Sequence, residues 1–425
     1  MEFKILLKNK KIILALGPES DGNFSVYKNE KIYFFKSFGN LLEEKKFLKF
    51  KKVILDYLKK NKIKPDIILT DLHPLYKTTA WGMQLAKKYK AKHIQIQHHL
   101  AHIFSCYGER KLVLENTKLT IKNYKIKNSF IGVACDGTGY GLDKKIWGGE
   151  IFKFFNFSIN LALQNKANKQ FLIFNKTQNS KFKIQRIGHL ENQTMIGGDL
   201  AVKEPARMLI AILDKCKAQS IKQQNKIQNS KFKKDFIYKF VKKYYTYNQF
   251  KLLYNQLQQN FNCQETSSTG RILDAVSVLL GFCKNQRNYK HEPIDLLEKN
   301  STIPYSDLKP KIVKIINYES KIMNYELFTT PLFEYLIKNL NLNKKRLATT
   351  AQFYIAKGLY EIIKKNYDPK FIIHNSYFAG GIANNKIISS YLESKGVYTN
   401  KKIPCGDAGL SFGQIIYYLL TNSRN

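Results

Sequence analysis

The residues best placed to do chemistry lie at positions 97–102, which read Gln-His-His-Leu-Ala-His and hold three of the eight histidines. On a helix, His98 and His102 lie one turn apart on the same face, with Cβ atoms about 5–6 Å apart. Two imidazoles at that spacing can bind one metal ion, with carboxylates completing the ligand set. The alternative is a pair that only caps or packs at a strand–helix junction, since the pattern is short and common.

A carboxylate and three glycines follow a predicted strand at positions 136–141, Asp-Gly-Thr-Gly-Tyr-Gly. Glycine permits close backbone approach, so the amides of Gly137 and Gly139 can face phosphate oxygens, and Thr138 can donate a hydrogen bond to them. Asp136, at the end of the strand, could bind a cation. A plain β-turn is the competing interpretation.

Further glycine-rich turns stand before predicted helices, where backbone amides attract phosphates. The candidate residues in these segments are Gly198, Asp199, Arg271, Asp274, Gly380, Gly381, Asn384 and Asp407. The alternative for Arg271 and Asp274 is an ion pair within one helix, and for Asp407 it is a helix N-cap. The chain has no Gly-x-x-x-x-Gly-Lys-Ser/Thr loop. Dispersed glycine turns around one nucleotide are typical of the two-lobed actin-like, sugar-kinase and Hsp70-type ATPase fold.

The elements that must position these residues alternate between strands and helices, which predicts an α/β fold. Short apolar runs predict strands, and longer periodic segments predict helices. The predicted strands are 11–17, 67–71, 94–97, 130–135, 147–155 and 371–374, with a hairpin at 25–35. The predicted helices are 41–62, 76–90, 204–216, 270–283, 347–364, 385–394 and 407–420. The strand at 94–97 leads directly into the histidine segment, so we expect a helix to begin there.

Two lobes are expected, with nucleotide and metal in the cleft between them. The first covers residues 1–125 and is completed by the last helix, about 404–425; the second covers 126–403. Positions 175–183 and 225–233 are near-identical nonamers, NKTQNSKFK and NKIQNSKFK. We interpret them as parts of low-complexity surface insertions near 160–185 and 218–235, and a small Asn-Tyr-Glu repeat marks a third near 305–327.

Composition describes a globular chain of 425 residues, 44% of them hydrophobic. Six scattered cysteines without Cys-x-x-Cys, no apolar run of membrane-spanning length and no signal-peptide core predict a cytoplasmic protein with no membrane partner. The 71 basic and 32 acidic residues give a net charge of +39. The excess is mostly lysine, spread along the chain among many Asn, Ile, Tyr and Phe, which an A/T-rich genome explains. We therefore expect no nucleic-acid partner; a functional polyanion-binding surface is the alternative.

Six segments, in this order, closely resemble motifs of the C-terminal domain of HypF, the carbamoyltransferase family of nickel–iron hydrogenase maturation. They are QHHLAH, DGTGYGLDKKIWGGE, GGDLAVKEPARM, TSSTGRILDAV, AGGIANN and CGDAGLSFGQ. The stretch from Asp71, Asp-Leu-His-Pro-Leu-Tyr, is similar to a further signature of that family. The resemblance covers essentially the whole chain apart from the insertions. The same unit is similar to the tRNA threonylcarbamoyltransferase and to antibiotic O-carbamoyltransferases.

The resemblance implies site residues by position. His98, His102, Asp136 and Asp407 match metal ligands, a mixed nitrogen and oxygen set that suits a divalent iron or zinc ion. His98, His102 and Asp136 are also the expected catalytic residues. Carbamoyl-AMP or ATP contacts are implied at Gly137, Thr138, Gly198, Asp199, Gly380 and Gly381. The same segments add Gly139, Arg271, Asp274 and Asn384 to the candidate nucleotide set.

Some segments depart from the family pattern. Positions 406–409 read Gly-Asp-Ala-Gly instead of Asn-Asp-Gly-Gly, and 379–383 read Ala-Gly-Gly-Ile-Ala instead of Ser-Gly-Gly-Val-Phe. At 289–293, Tyr-Lys-His-Glu-Pro replaces Tyr-Glu-Gly-Gln, so no role is transferred there. The acylphosphatase-like, zinc-finger and YrdC-like domains of full-length members are not found in this sequence. We expect a separate YrdC-type adenylating protein to supply carbamoyl-AMP, or the chain to be a fragment.

The expected reaction is carbamoyl transfer from carbamoyl-AMP to the C-terminal cysteine thiol of a HypE-like partner, a step of cyanide-ligand synthesis. Cys135 and Cys405 lie beside candidate site residues, but such cysteines are more often small packed residues than nucleophiles. One alternative is carbamoyl or threonylcarbamoyl transfer to tRNA or to a small-molecule hydroxyl. The other is a non-catalytic, nucleotide-binding scaffold.

Overall fold

The structure, a computed structural model, describes residues 1–5, 7–112, 129–156, 182–221, 229–317, 322–366 and 375–422. The strands in these ranges are β1 (Glu2–Lys4), β2 (Ile13–Leu16), β3 (Phe24–Lys28), β4 (Lys31–Phe34), β5 (Ile67–Asp71), β6 (Lys92–Ile96), β7 (Phe130–Tyr140), β8 (Ile146–Asn156), β9 (Phe182–Leu190), β10 (Gln193–Ile196), β11 (Cys263–Thr266), β12 (Lys311–Asn317), β13 (Ile322–Phe328), β14 (Ser376–Ala379) and β15 (Tyr398–Thr399). The helices are α1 (Glu44–Lys60), α2 (Lys77–Tyr89), α3 (His98–Lys111), α4 (Leu200–Lys203), α5 (Ala206–Ile221), α6 (Asn229–Val241), α7 (Tyr247–Gln258), α8 (Thr269–Leu280), α9 (Glu292–Lys299), α10 (Thr330–Lys338), α11 (Lys344–Lys365), α12 (Lys386–Ser394) and α13 (Leu410–Asn422).

The first sheet has the order β1-β4-β3-β2-β5-β6. Strands β4, β3 and β2 pair antiparallel, whereas β2, β5 and β6 pair parallel. Apolar side chains of β2 and β5 are buried on both faces, which is why these strands read as continuous hydrophobic runs in the sequence. Helices α1 and α2 cover one face and close a core with that sheet.

The second sheet repeats this arrangement. Its order β9-β8-β7-β14-β15 has the same sequence of antiparallel and then parallel pairs as β4-β3-β2-β5-β6. The antiparallel pair β12 and β13 extends it beyond β9, with β13 parallel to β9. Two sheets of one topology give the α/β, ATPase-like fold that the glycine turns predicted.

Two helices lie between the sheets, and each packs against a sheet other than the one whose strands it follows in the sequence. Helix α3 follows the first sheet but packs against β7 and β14 of the second. Helix α13, at the end of the chain, packs against β2, β3 and β5 of the first. The two helices touch closely at Gly413, where a Cβ would collide with the carbonyl of Ala101. They share one buried core with both sheets, while α5, α8 and α11 cover the outer face of the second sheet.

The structure differs from the predicted elements in several places. Strand β7 continues to Tyr140 instead of ending at residue 135. Asp407–Gly409 form a 3-10 turn before α13 instead of its first turn. Much of 305–327 belongs to β12 and β13, and part of 218–235 belongs to α5 and α6. The predicted strand at 371–374 lies outside the described residues, and the lobe boundaries and insertions remain predictions. Within the described ranges, none of the helices combines the length and apolar character needed to cross a membrane.

Candidate metal and nucleotide site

Four side chains meet where the two sheets face each other. His98 and His102 project from the first turns of α3, Asp136 comes from β7, and Asp407 comes from the turn before α13. One ligand atom from each lies within 4.8 Å of the other three, and all four residues are buried. The structure therefore brings together the four residues that the family resemblance gave as metal ligands.

Local structure explains why the histidines share a face. Strand β6 ends at Ile96, and the side chain of Gln97 caps α3 by accepting a hydrogen bond from the Leu100 amide at 3.0 Å. The capping role thus falls to Gln97 and not to the histidines. His99 points away: its Nδ1 bonds the Gln97 amide at 3.0 Å, and burial beside His98 lowers the pKa of His99 to about 3.

Asp136 is aimed by an irregularity of β7. Pairing with β8 breaks between Cys135 and Gly139, so Asp136 lies in a bulge, a feature that redirects side chains near functional sites. Ser268, the N-cap of α8, donates hydrogen bonds to the carbonyl oxygens of Asp136 and Gly137 and so fixes this bulge.

The separations suit a small divalent cation. His98 Nε2 lies 3.1 Å from His102 Nε2, 3.2 Å from Asp136 Oδ2 and 3.4 Å from Asp407 Oδ1. His102 Nε2 lies 3.5 Å from Asp407 Oδ1 and 3.9 Å from Asp136 Oδ2. Ligand atoms of a tetrahedral ion with bonds of about 2.0–2.2 Å are about 3.4 Å apart. Asp407 Oδ1 is buried and accepts no hydrogen bond from any described residue. Its free electron pairs are therefore available to a cation at the centre of the four residues.

Electrostatics keep both carboxylates ionised. Burial alone would lower the pKa of His98, but Asp71, Asp136 and Asp407 raise it well above 6.5. Burial and the charge of Asp407 oppose ionisation of Asp136, yet His98 and His102 hold its pKa below the usual value. Burial also opposes ionisation of Asp407, and Lys290 with the two histidines holds its pKa far below 3.8. The carboxylates are therefore available as anionic ligands at neutral pH.

Asp71 is a part of the site that the sequence analysis did not assign. Its Oδ2 lies 2.7 Å from His98 Nδ1, and its Oδ1 accepts a hydrogen bond from the His73 amide at 2.9 Å. A carboxylate on Nδ1 fixes the ring with the Nε2 electron pair facing the cluster, as in carboxylate–histidine–metal arrangements. A signal was present, because β5 ends at Asp71 beside the parallel β6, which leads into His98.

Lys290 is the second residue missed. It lies in the 289–293 segment, from which no role was transferred, and its Nζ is 3.0 Å from Asp407 Oδ2. Ser20, from the loop between β2 and β3, donates a hydrogen bond to the same oxygen. Asp407 therefore presents one oxygen to the histidines and the other to Lys290 and Ser20. No periodicity marks this irregular loop, so the sequence alone gave no signal.

The glycine turns at 137 and 380–381 border the cluster. The amide of Gly381 donates to Asp136 Oδ1 at 3.2 Å. Gly380 has φ +97°, and a Cβ there would collide with the Cys135 carbonyl, so only glycine fits. Asn384 caps the same turn by donating to the Gly381 carbonyl at 3.1 Å. Backbone of this turn thus lies directly beside Asp136.

Arg271 and Asp274, which were predicted to contact the nucleotide, form the intrahelical ion pair of the alternative interpretation, at 2.8 Å. Both are buried, and Arg271 lies beside the Gly137 turn. Arg287 also pairs with Asp274, at 2.7 Å. Arg271 Nε and Nη1 have no hydrogen-bond partner among the described residues. Two guanidinium groups sharing one carboxylate leave a positive excess, which suits an anion.

The remaining predicted nucleotide residues are placed less uniformly. Thr138 lies in the bulge beside Gly137, and Gly139 packs so closely on His99 that a Cβ would collide with its ring. Gly198, with φ +55°, and the exposed Asp199 form the turn before α4 and contribute none of the four converging ligand atoms.

Family models match most of the chain. The model described as "Carbamoyltransferase, Kae1-like Domain, second subdomain" matches residues 132–162 and 171–414, and the model "HypF Kae1-like domain" matches residues 8–109. The chain belongs to the HypF carbamoyltransferase family. This confirms the resemblance predicted from the six sequence segments.

HypF proteins are also found among the relatives and the solved structures that match the chain. The chain is 34% identical over 99% of its length to the probable carbamoyltransferase HypF of Methanocaldococcus jannaschii, covering 48% of that protein, and 22% identical over 95% to HypF of Rhodobacter capsulatus, covering 46%. The fold matches full-length HypF in its phosphate- and nucleotide-bound form with a TM-score of 0.76 and 22% identity, over 99% of this chain and 57% of that one. It also matches T. kodakarensis HypF with a TM-score of 0.73 and 26% identity, over 99% of this chain and 49% of that one. The chain thus spans about half the length of the relatives that it matches.

Proposed function

We propose that this chain transfers a carbamoyl group from carbamoyl-AMP to the C-terminal cysteine thiol of a HypE-like acceptor, in hydrogenase maturation. The observation that carries the proposal is the convergence of two histidines and two aspartates in a buried cluster, within a chain of the HypF family. We further propose that a separate YrdC-type protein supplies carbamoyl-AMP and that His98, His102, Asp136 and Asp407 hold a divalent iron or zinc ion.

The transfer balances as a simple substitution. The acceptor sulfur attacks the carbamoyl carbon, a carbon–sulfur bond forms, and the bond from that carbon to the adenylate oxygen breaks. AMP leaves with the electron pair, and the thiol proton passes to solvent. A divalent ion, when bound, would polarise the carbamoyl carbonyl or neutralise the adenylate phosphate.

The chain's own residues would bind and orient the donor. The turn at Gly380 and Gly381 offers a close backbone surface, and Arg271 offers buried N–H groups that an adenylate phosphate would satisfy. A full-length HypF of the same fold has been solved with phosphate and nucleotide bound, which supports a nucleotide as a ligand. Holding donor and thiol together would supply much of the acceleration.

Neither cysteine beside the site is needed as a nucleophile in this scheme. Cys135 is fully buried, and burial raises its pKa to about 12. Burial and the charge of Glu109 raise the pKa of Cys405 to about 11. Both thiols are therefore protonated at neutral pH, and direct attack by the acceptor thiol is the simpler scheme.

The test is intact-mass spectrometry of a HypE-like acceptor incubated with this protein and carbamoyl-AMP from a separate adenylating enzyme. We expect a gain of one carbamoyl group on the terminal thiol. The gain should disappear with His98→Ala and persist with the control His93→Ala, because His93 lies on β6 and bonds Thr70 instead of the cluster.

Two results would refute the proposal. Transfer that survives His98→Ala would remove the role of the metal cluster. No transfer by protein that carries metal and AMP would favour another acceptor, such as a tRNA or a small-molecule hydroxyl, or a scaffold without turnover.

A further inference from the structure

Lys290 connects the proposed metal cluster to the loop between β2 and β3. Its Nζ lies 3.0 Å from Asp407 Oδ2, 3.3 Å from Asp21 Oδ2 and 3.1 Å from Ser20 Oγ. Asp407 is buried, whereas the Lys290 side chain is 46% exposed. The ammonium therefore lies against a cluster ligand, at the end of a side chain that is partly open to solvent.

The backbone that carries Lys290 is braced. Arg287 Nη1 donates to the Lys290 carbonyl oxygen at 2.7 Å, and Arg287 Nη2 pairs with the buried Asp274 at 2.7 Å. Asp274 in turn pairs with Arg271 beside the Gly137 turn. Three ion pairs, joined by the hydrogen bond from Arg287 to the Lys290 backbone, thus link the region proposed for the phosphate to the outer oxygen of Asp407.

The positive charge of the Lys290 ammonium acts on cation binding and on anion binding at the cluster. A divalent ion held by two neutral histidines, Asp136 and Asp407 would form a neutral group, and the Asp71 carboxylate on His98 would add one negative charge beside it. Lys290 adds a positive charge at the outer oxygen of Asp407, so it repels a cation at the inner oxygen and attracts an anion that reaches the cluster. It also holds Asp407 in place, an effect that acts on cation binding in the opposite direction.

We propose that Lys290 is a positioning residue that sets the charge of this centre, weakening its hold on a divalent cation and strengthening its hold on a phosphate-bearing ligand. The inference rests on the proposed function, because it takes the four-residue cluster as a cation site and the adjoining turns as a nucleotide site. It assigns a role to the segment at which the chain departs from the family pattern.

The experiment measures two affinities in wild-type protein, Lys290→Met, Lys290→Arg and a control, Lys284→Met. Lys284 is an exposed lysine of the same loop. Co²⁺ binding is measured by competition with a chelating indicator, and AMP binding to the Co²⁺-loaded protein by calorimetry. We expect Lys290→Met to bind Co²⁺ about tenfold more tightly and AMP about tenfold more weakly, the order expected for one charge a few ångströms away. Lys290→Arg and Lys284→Met should match wild type.

A rise in Co²⁺ affinity together with a fall in AMP affinity would show that Lys290 acts through its charge, because a residue that only supports the fold would change both affinities in the same direction. If Lys290→Met weakens both ligands, or changes neither, the inference is wrong; Lys290→Arg, which keeps the charge, controls for misfolding. Wild-type protein that binds neither Co²⁺ nor AMP would overturn the inference together with the proposed function. Wild-type protein that binds both but carbamoylates no thiol would refute only the proposed function.

Discussion

Asp71→Asn should weaken metal binding by reversing the tautomer of one proposed ligand, His98. The Asp71 Oδ1 atom accepts from the His73 amide, so the carbonyl oxygen of an asparagine would stay at that position. Its NH₂ group would then face His98 Nδ1, at the 2.7 Å contact that now holds Oδ2. His98 Nδ1 would have to accept, and its proton would move to Nε2, which faces the cluster.

The size of the loss follows from the contact that is changed. A buried hydrogen bond to a charged group contributes about 1.5–3 kcal/mol, and removing a carboxylate behind a metal-bound histidine lowers affinity about 10–100-fold. These figures agree, because tenfold corresponds to about 1.4 kcal/mol. We therefore expect Co²⁺ or Zn²⁺ affinity to fall by about 10–100-fold, measured by competition with a chelating indicator.

A matched control lies just before the same strand. Asp66 accepts a hydrogen bond from the Ile12 amide at 2.8 Å and is half exposed, far from the cluster end of β5. Asp66→Asn removes the same charge and should leave metal affinity unchanged. Affinity of Asp71→Asn within twofold of wild type would refute the tautomer argument, and so would an equal loss in Asp66→Asn.

Three further predictions concern stability and thiol chemistry. Burial opposes ionisation of Glu150, but Arg186 holds its pKa below 4.5, so its contribution is present above pH 4.5 and lost as pH falls through the folded value. The difference in unfolding free energy between wild type and Glu150→Gln, measured with urea, should therefore decrease below about pH 4.5. A difference that does not change with pH would contradict this. Gly281→Ala, at φ +82° where the added Cβ would meet only Lys243 Nζ at 3.5 Å, should cost about 1 kcal/mol of unfolding free energy. Gly380→Ala should cost about 2–4 kcal/mol, because its Cβ would also collide with the Cys135 carbonyl; equal losses would contradict this difference. Cys135 should resist iodoacetamide at pH 8 until denaturant is added, as peptide mapping would show, and labelling of native protein would disprove its burial.

Local features of the site were predictable from the sequence. The spacing of His98 and His102 is a property of one helix, and the strand before it was predicted at 94–97, where isoleucine and glutamine alternate. Asp136 and Asp407 are far apart in the chain, so only the family resemblance joined them to the histidines. Their mutual distance depends on the bulge in β7 and on the packing of α13 against α3, neither of which leaves a periodic signal.

The segments that were predicted less well lie at a sheet edge, in a bulge and in a loop. Strand β12, at the edge of the second sheet, carries Lys311, Lys314 and Asn317, and edge strands use lysines to discourage pairing with other chains. The Asn-Tyr-Glu repeat at 317–319 and 324–326 led to the interpretation of this segment as an insertion. The bulge in β7 was predicted as a glycine-rich segment after the end of the strand, because glycines favour turns as much as bulges. Lys290 sits in a loop whose position depends on Arg287 and Asp274, so its partners could not be predicted from neighbouring residues.

The crossing of α3 and α13 between the sheets sets an order of events during synthesis. A chain made from its N-terminus contains both histidines about 300 residues before Asp407 exists. Until the last helix is released and packs against β2, β3 and β5, the first sheet lacks part of its core and the cluster lacks its fourth side chain. The ability to hold an ion tightly would therefore report that the chain has been made through α13 and that the two sheets have joined around it.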